Sequence, residues 1–290
     1  MKDCPRRTLR SLPVFQTSRV LIRALTAVVL IIGFIGVLSA ETSTPLRIAM
    51  TAVVAGGAYE WARLSKLVSW RAAVVAALFA GSFAIAIRFV APHEPTPVVL
   101  VALVTGSAFW LLVAPFALVK GVAPLERYLL VSAIPAILPA GIASIYLGPK
   151  MFLVTIAIAW VADTFAYLGG RAFGRRKLAP SISPGKTWEG AWCGMVAVLV
   201  YAWACAVFGY SGFNAPGDAW AWLLYLGAAV VLTCISVVGD LFESALKRHA
   251  GVKDSGKLLP GHGGILDRVD SALALLPVAA LMLLVTRQLA

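Results

Sequence analysis

Four aspartates at the ends of apolar segments, Asp163, Asp240, Asp267 and Asp270, and the lysines and arginines beside them are the residues best suited to chemistry. Asp267 and Asp270 are three apart, so a helix puts them on one face. With Asp240 they could hold a divalent cation, since Mg²⁺ usually takes one or two carboxylates and fills its shell with water and substrate phosphates. Lys247, Arg248, Lys253 and Arg268 could offset phosphate oxygens, arginine through a two-pronged fork and lysine as a point charge. The run Pro260-Gly261-His262-Gly263-Gly264 can bend far enough to aim backbone N–H groups at an anion. Upstream, Ser183-Pro184-Gly185-Lys186-Thr187 precedes an apolar run, and Thr187 is expected to cap that helix, whose start is a natural anion site. Taken together these are the parts of an interfacial phosphate-and-metal site, as phosphoryl or nucleotidyl transfer needs.

The elements that must hold these groups are membrane helices. The chain has 290 residues, 60% hydrophobic and 13% charged, against roughly 45–50% and 25% in a soluble domain. A disordered chain, a disulfide scaffold and a nucleic-acid binder are excluded, the last despite a net charge of +12. Cys193, Cys205 and Cys234 lie in apolar runs without metal-ligand spacing and are read as small core hydrophobes. Apolar windows at 20–38, 46–64, 72–91, 97–119, 128–147, 151–168, 188–208, 219–238 and 271–285 predict an all-α, polytopic helical bundle of about nine spans. Pro135 and Pro139 are expected to kink the fifth. The basic N-terminus, the apolar run and Leu38-Ser39-Ala40 resemble a signal peptide, but the run is long and leucine is a poor cleavage residue, so the first span is expected to stay uncleaved.

Basic residues set the orientation. With the N-terminus cytoplasmic, every Lys and Arg except Arg47, Arg88, Lys150 and Arg287 falls on the cytoplasmic side. Only Glu41, Glu94 and Asp218 among the acids fall on the other. Three parts follow: a basic cytoplasmic tail (1–19), membrane helices 1–5 (20–147), and a catalytic part (148–290) with two long cytoplasmic loops at 169–187 and 239–270. Plainer readings stand beside this one. Arg175, Arg176 and Lys177 could serve topology alone, Asp163 and Glu60 could be partners of bundle arginines, and His249 reads as a surface residue. Neither topology nor packing accounts for the density of Gly, His, Lys, Arg and Asp between Ser244 and Asp270.

That segment runs Ser244-Ala-Leu-Lys247-Arg248, Lys253-Asp254-Ser-Gly256, then Leu259-Pro260-Gly-His262-Gly263-Gly264-Ile-Leu-Asp267-Arg268-Val-Asp270. It closely resembles the signature of the phosphatidate cytidylyltransferases (CDP-diacylglycerol synthases), without departure over 27 positions. A second block is similar to the family's other shared stretch: Trp160-Val-Ala-Asp163-Thr164-Phe-Ala166-Tyr167, Gly170-Arg171, Phe173-Gly174, Lys177-Leu178 and Ser183 through Gly190. There Gly185 stands where many members carry a second lysine. Glu60-Trp61 is also familiar from the family.

The resemblance implies a membrane enzyme that condenses CTP with phosphatidic acid to CDP-diacylglycerol and pyrophosphate. It implies Mg²⁺, with Asp240 and Asp267 as ligands, K⁺ beside it, and a homodimer. Asp270, Lys247 and Arg248 are expected to act with the metal-binding pair. Asp163, Ser183, Lys186 and Thr187 are expected to contact substrate from one block. Ser244, Lys253, Asp254, His262, Gly263, Gly264 and Arg268 are expected to do so from the other. The site would face the cytoplasm from a cell inner membrane, and nucleic acid is not an expected partner. The alternatives are a CTP-dependent lipid or polyprenol kinase, which would release CDP, and an ion or solute transporter, which would carry charges near mid-bilayer and often repeated halves.

Overall fold

The computed structural model of the chain describes residues 14–40, 42–122, 128–209 and 216–289. Most of the basic tail, including Lys2, Arg6, Arg7 and Arg10, lies outside the described residues, as does Arg127. The described elements are α1 (Val14–Ser39), α2 (Thr44–Leu64), α3 (Ser69–Ala86), α4 (Pro97–Ala108), α5 (Ala114–Lys120), α6 (Leu129–Phe173), β1 (Lys177–Ala179), β2 (Ser183–Thr187), α7 (Trp188–Val207), α8 (Ala219–His249) and α9 (Leu266–Leu289). In a bilayer a backbone must satisfy its own hydrogen bonds, and long apolar runs do so as helices. Among the described residues six helical stretches are long and apolar enough to cross a membrane, and the chain is an α-helical membrane protein. One of them, α6, has 45 residues. At 1.5 Å per residue it would reach about 67 Å, roughly twice a hydrocarbon core.

Pro135 and Pro139 both sit inside α6, and its one residue with non-helical φ and ψ is Gly148, at φ 70° and ψ 168°, followed by Pro149. A left-handed φ is easily reached only by glycine, and the proline that follows lacks an N–H. The break therefore falls where the two residue types coincide, between the fifth and sixth apolar windows. The His93 N–H donates to the Tyr146 carbonyl at 2.8 Å beside the break. A π-helical turn at Phe109–Val113 joins α4 to α5, immediately before Pro115; such a turn adds a residue where proline disturbs the ladder.

The two long loops are shorter than their apolar windows suggest. α8 continues through Asp240, Glu243 and Lys247 to His249, and α9 begins at Leu266, before Asp267 and Asp270. α6 likewise runs past Gly169 and Arg171 to Phe173. Of the charged residues in these extensions, Asp240 pairs with Lys186 and Lys247 with Glu243 and Asp267. What remains of the first loop is largely the antiparallel hairpin β1–β2, with Lys177 opposite Thr187 and Ala179 opposite Ser183. A small strand pair is thus added to the expected all-helical fold.

The core lies between the two halves of the chain. Phe242 is fully buried against Trp61, Phe109 and Trp110, with ring centroids 5.6–6.0 Å apart. The Trp61 indole N–H donates to the Leu129 carbonyl at 2.7 Å, so the ring's polar edge is satisfied as burial requires. This aromatic cluster fixes α8 two residues from Asp240. α6 and α7 pack tightly because Gly194 has no side chain: a Cβ there would sit 2.7 Å from the Ala162 carbonyl oxygen. Small residues let helix backbones approach closely in a membrane. Of the cysteines expected inside, Cys205 is buried and Cys193 half-buried, whereas Cys234 is exposed on the outer face of α8.

Candidate functional site

A cavity of about 520 Å³ opens between the last turns of α6, the second half of α8, the first turns of α7 and α9, and strand β2. Asp163, Asp240, Asp267 and Asp270 all line it, with Lys186, Ser183 and Thr187 on the opposite wall. The sequence separates these residues by up to about a hundred positions; α6, α7, α8 and α9 bring them to one place.

Each helix end presents its residue for a local reason. Thr187 is the N-cap of α7 and its hydroxyl oxygen accepts the Gly190 N–H at 3.2 Å, as expected from its type. Glu189, in the same turn, accepts the Arg175 N–H at 3.0 Å and the Arg176 N–H at 3.2 Å. That closes the base of the hairpin and sets β2 beside the cavity. From β2, Lys186 reaches across to form an ion pair with Asp240 Oδ2. Asp240 Oδ1 accepts only a long 3.4 Å bond from the Ser244 hydroxyl, one helical turn on.

Asp267 is held from three sides. Its Oδ1 accepts from Lys247 Nζ at 2.8 Å, and its Oδ2 accepts the Ser255 N–H at 3.0 Å and the Gly264 N–H at 2.8 Å. Lys247 is shared with the buried Glu243 one turn before it. Asp270 has far less: its Oδ1 accepts the N–H of the adjacent Ser271 at 2.7 Å. Asp163, Asp240 and Asp270 lie close enough to repel one another, and Lys186 is the cation that offsets them. Like charges gathered in a shared site cost free energy unless a cation joins them.

Several expected residues go elsewhere. Arg248 donates to the carbonyls of Ile182 and Val252, both at 3.3 Å, tying the hairpin tip to the loop after α8. Arg268 donates to the His262 carbonyl at 2.7 and 3.1 Å, bracing the glycine turn. In that turn the His262 N–H donates to the Leu259 carbonyl at 2.9 Å, with Pro260 second and Gly261 third at φ 77°, the arrangement of a type II turn. The glycine run thus spends its bend on a tight turn and gives the Gly264 N–H to Asp267. His262, Gly263, Gly264, Lys253 and Asp254 do not line the 520 Å³ cavity, and neither do Ser244, Lys247, Arg248 or Arg268. His249 is half-buried rather than on the surface.

Other residues of the cavity were not singled out by type. Tyr167 and Arg171 line it with Asp163. They stand four and eight residues after that aspartate, on one stripe of α6, and that spacing was the signal available in the sequence. Glu243 was likewise readable as the helical i,i+4 partner of Lys247.

Among the described residues no three His, Cys, Asp or Glu side chains form a ready-made metal cage. The donor set still suits Mg²⁺, which binds through one or two carboxylates and keeps positions for water and phosphate. A carboxylate has about four acceptor positions. Asp267 uses three of them, Asp240 two and Asp270 one, so room for a cation is greatest at Asp240 and Asp270.

Comparison with known proteins adds an independent finding. A family model described as "Cytidylyltransferase family" matches residues 21–286. A Pseudomonas aeruginosa protein named phosphatidate cytidylyltransferase is 36% identical over 237 residues, covering 80% of this chain and 85% of that protein. Proteins of the same name match over shorter stretches. The one from Haemophilus influenzae is 45% identical over 132 residues (46% of this chain, 45% of that protein). The one from Staphylococcus aureus is 44% identical over 137 residues (47% and 50%). In these two the match spans about half of the relative's length.

Proposed function

The chain belongs to the cytidylyltransferase family, and from that premise we propose that it transfers the cytidylyl group of CTP to phosphatidic acid. The products are CDP-diacylglycerol and pyrophosphate. The observation that carries this reading is the gathering of Asp163, Asp240, Asp267 and Asp270 with Lys186 around one cavity at a membrane end of the bundle. One substrate is soluble and the other is held in the leaflet, so the reaction needs a polar site at the interface. Nine spans with a cytoplasmic N-terminus, in a cell inner membrane, turn that end toward the CTP pool.

In the reaction a phosphate oxygen of phosphatidate attacks the α-phosphorus of CTP. A new P–O bond forms as the bond to the β-phosphate oxygen breaks, and the electron pair leaves with pyrophosphate. No protein nucleophile is required; positioning and charge stabilisation supply most of the catalysis. Asp240 and Asp270 would hold Mg²⁺, with Asp267 adding its one remaining acceptor position. When bound, the ion offsets phosphate charge and aligns the reacting groups. Lys186 and Arg171 face the same space and offset charge developing on the phosphates. Lys247 keeps Asp267 ionised and in place. K⁺ beside the Mg²⁺ and a homodimer belong to this reading as expectations from the resemblance.

The test is direct. Purified protein is supplied with phosphatidate micelles, Mg²⁺ and CTP labelled in the cytidine. Label should enter the organic phase with release of pyrophosphate, and Asp267→Asn should lower its rate sharply while leaving the protein folded and inserted. Release of CDP with no labelled lipid would replace this reading with a CTP-dependent kinase.

A further inference from the structure

Glu60 enters no step above, yet it is among the most deeply buried charged residues described, at 1% exposure in α2. The sequence suggested an arginine partner, and among the described salt bridges it has none. Its Oε2 instead accepts from the Ser255 hydroxyl at 3.0 Å and from the Leu266 N–H at 2.9 Å, about 200 residues along the chain. Those two donors stand at either end of the segment 255–266, which carries the Pro260–Gly264 turn. Leu266 begins α9, so its N–H is one of the four that a helix start leaves unpaired, and a carboxylate is favoured there by the helix dipole.

Asp267 grips the same segment from the other side, through the N–H groups of Ser255 and Gly264. Ser255 is therefore clamped twice, its hydroxyl to Glu60 and its amide to Asp267. The Glu60 carboxylate fits only because Gly256 and Gly264 wall it: a Cβ at either would overlap it. One carboxylate from the N-terminal half thus bears on the backbone that sets the position of Asp267 and, through it, Lys247.

We propose that Glu60 is a positioning residue for the reaction: it fixes segment 255–266 so that Asp267 and Lys247 stand where catalysis needs them. The inference rests on the cytidylyltransferase reading for its effect on turnover, and on geometry alone for its effect on the segment. Glu60→Ala should lower kcat about 100-fold, the size expected when distant support moves catalytic groups by about 1 Å, while leaving the KM for phosphatidate within twofold. Glu60→Gln keeps an oxygen that can accept from Ser255 and Leu266, and should recover most of kcat. Ser255→Ala removes only the shared hydroxyl, should lower kcat at an unchanged thermal midpoint, and should add little in the Glu60→Ala background. Wild-type kcat in both Glu60→Ala and Ser255→Ala would overturn the proposal. So would a loss that Glu60→Gln fails to relieve when that protein is as stable as wild type. Amide hydrogen exchange of 255–266 gives a readout without turnover. Faster exchange in Glu60→Ala supports the clamp, and unchanged exchange overturns it. Because exchange is independent of activity, a wild-type protein that makes no CDP-diacylglycerol would sink the functional reading and leave the clamp standing or falling by itself.

Discussion

Asp267 and Asp270 are one helical turn apart on α9 and live in opposite surroundings. Asp267 is held by a lysine and two backbone amides, with a second carboxylate bracing the loop behind it. Asp270 has its neighbour's amide and two carboxylates, Asp163 and Asp240, across a space where Lys186 offsets them. Full partnering makes a side chain part of the scaffold; an unbalanced cluster makes a place suited to a cation. Both aspartates line the cavity, and the contrast teaches that neighbours in one motif can differ in how much of their carboxylate is left over.

Mutations can break or sharpen that contrast. The largest effect is expected at Asp240, which belongs to the open cluster and carries the Lys186 ion pair. Asp240→Asn should cut kcat about 10³-fold, the upper range for losing one electrostatic contributor, and turnover within tenfold of wild type would empty the cluster of its role. Next, the Mg²⁺ concentration for half-maximal rate should separate the two neighbours. Asp270→Asn should raise it about 10–100-fold. Asp267→Asn should move it less and show its damage in kcat, and equal shifts would erase the distinction. Lys186→Ala removes the cation paired with Asp240 in the cluster. The KM for CTP should rise about tenfold, close to the worth of one charged hydrogen bond, while Mg²⁺ binds no worse. The smallest effect is expected at Thr187→Ala, which removes a cap worth about 1 kcal/mol. It should lower the thermal midpoint in detergent slightly and leave kcat within a few-fold.

Much of this was legible in the sequence, for physical reasons. Asp163, Asp240, Asp267 and Asp270 stood out because acids at apolar-segment ends are costly and need a purpose. Thr187 was legible because capping is local, its partner Gly190 being three residues away. Arg248 and Arg268 were not: the sequence announced five N–H donors each, and nothing told that backbone carbonyls of Ile182, Val252 and His262 would absorb them. Glu60 was misread for the same reason, since its partners are a hydroxyl and an amide about 200 positions away. The loops were overestimated because hydropathy windows end at the first charges, whereas α8 and α9 continue through theirs.

The break at Gly148 bears on how the protein is made. The apolar segments on either side of it are joined by no long hydrophilic linker, only by Gly148, Pro149 and Lys150 inside a single 45-residue element. The translocation machinery is therefore expected to meet them as one unit, the arm that carries Asp163 entering the lipid together with the arm before it. A chain severed here would leave the catalytic half without a soluble end to thread. Two-fragment complementation should accordingly fail at residue 148 and succeed, if anywhere, at the polar connection 90–96.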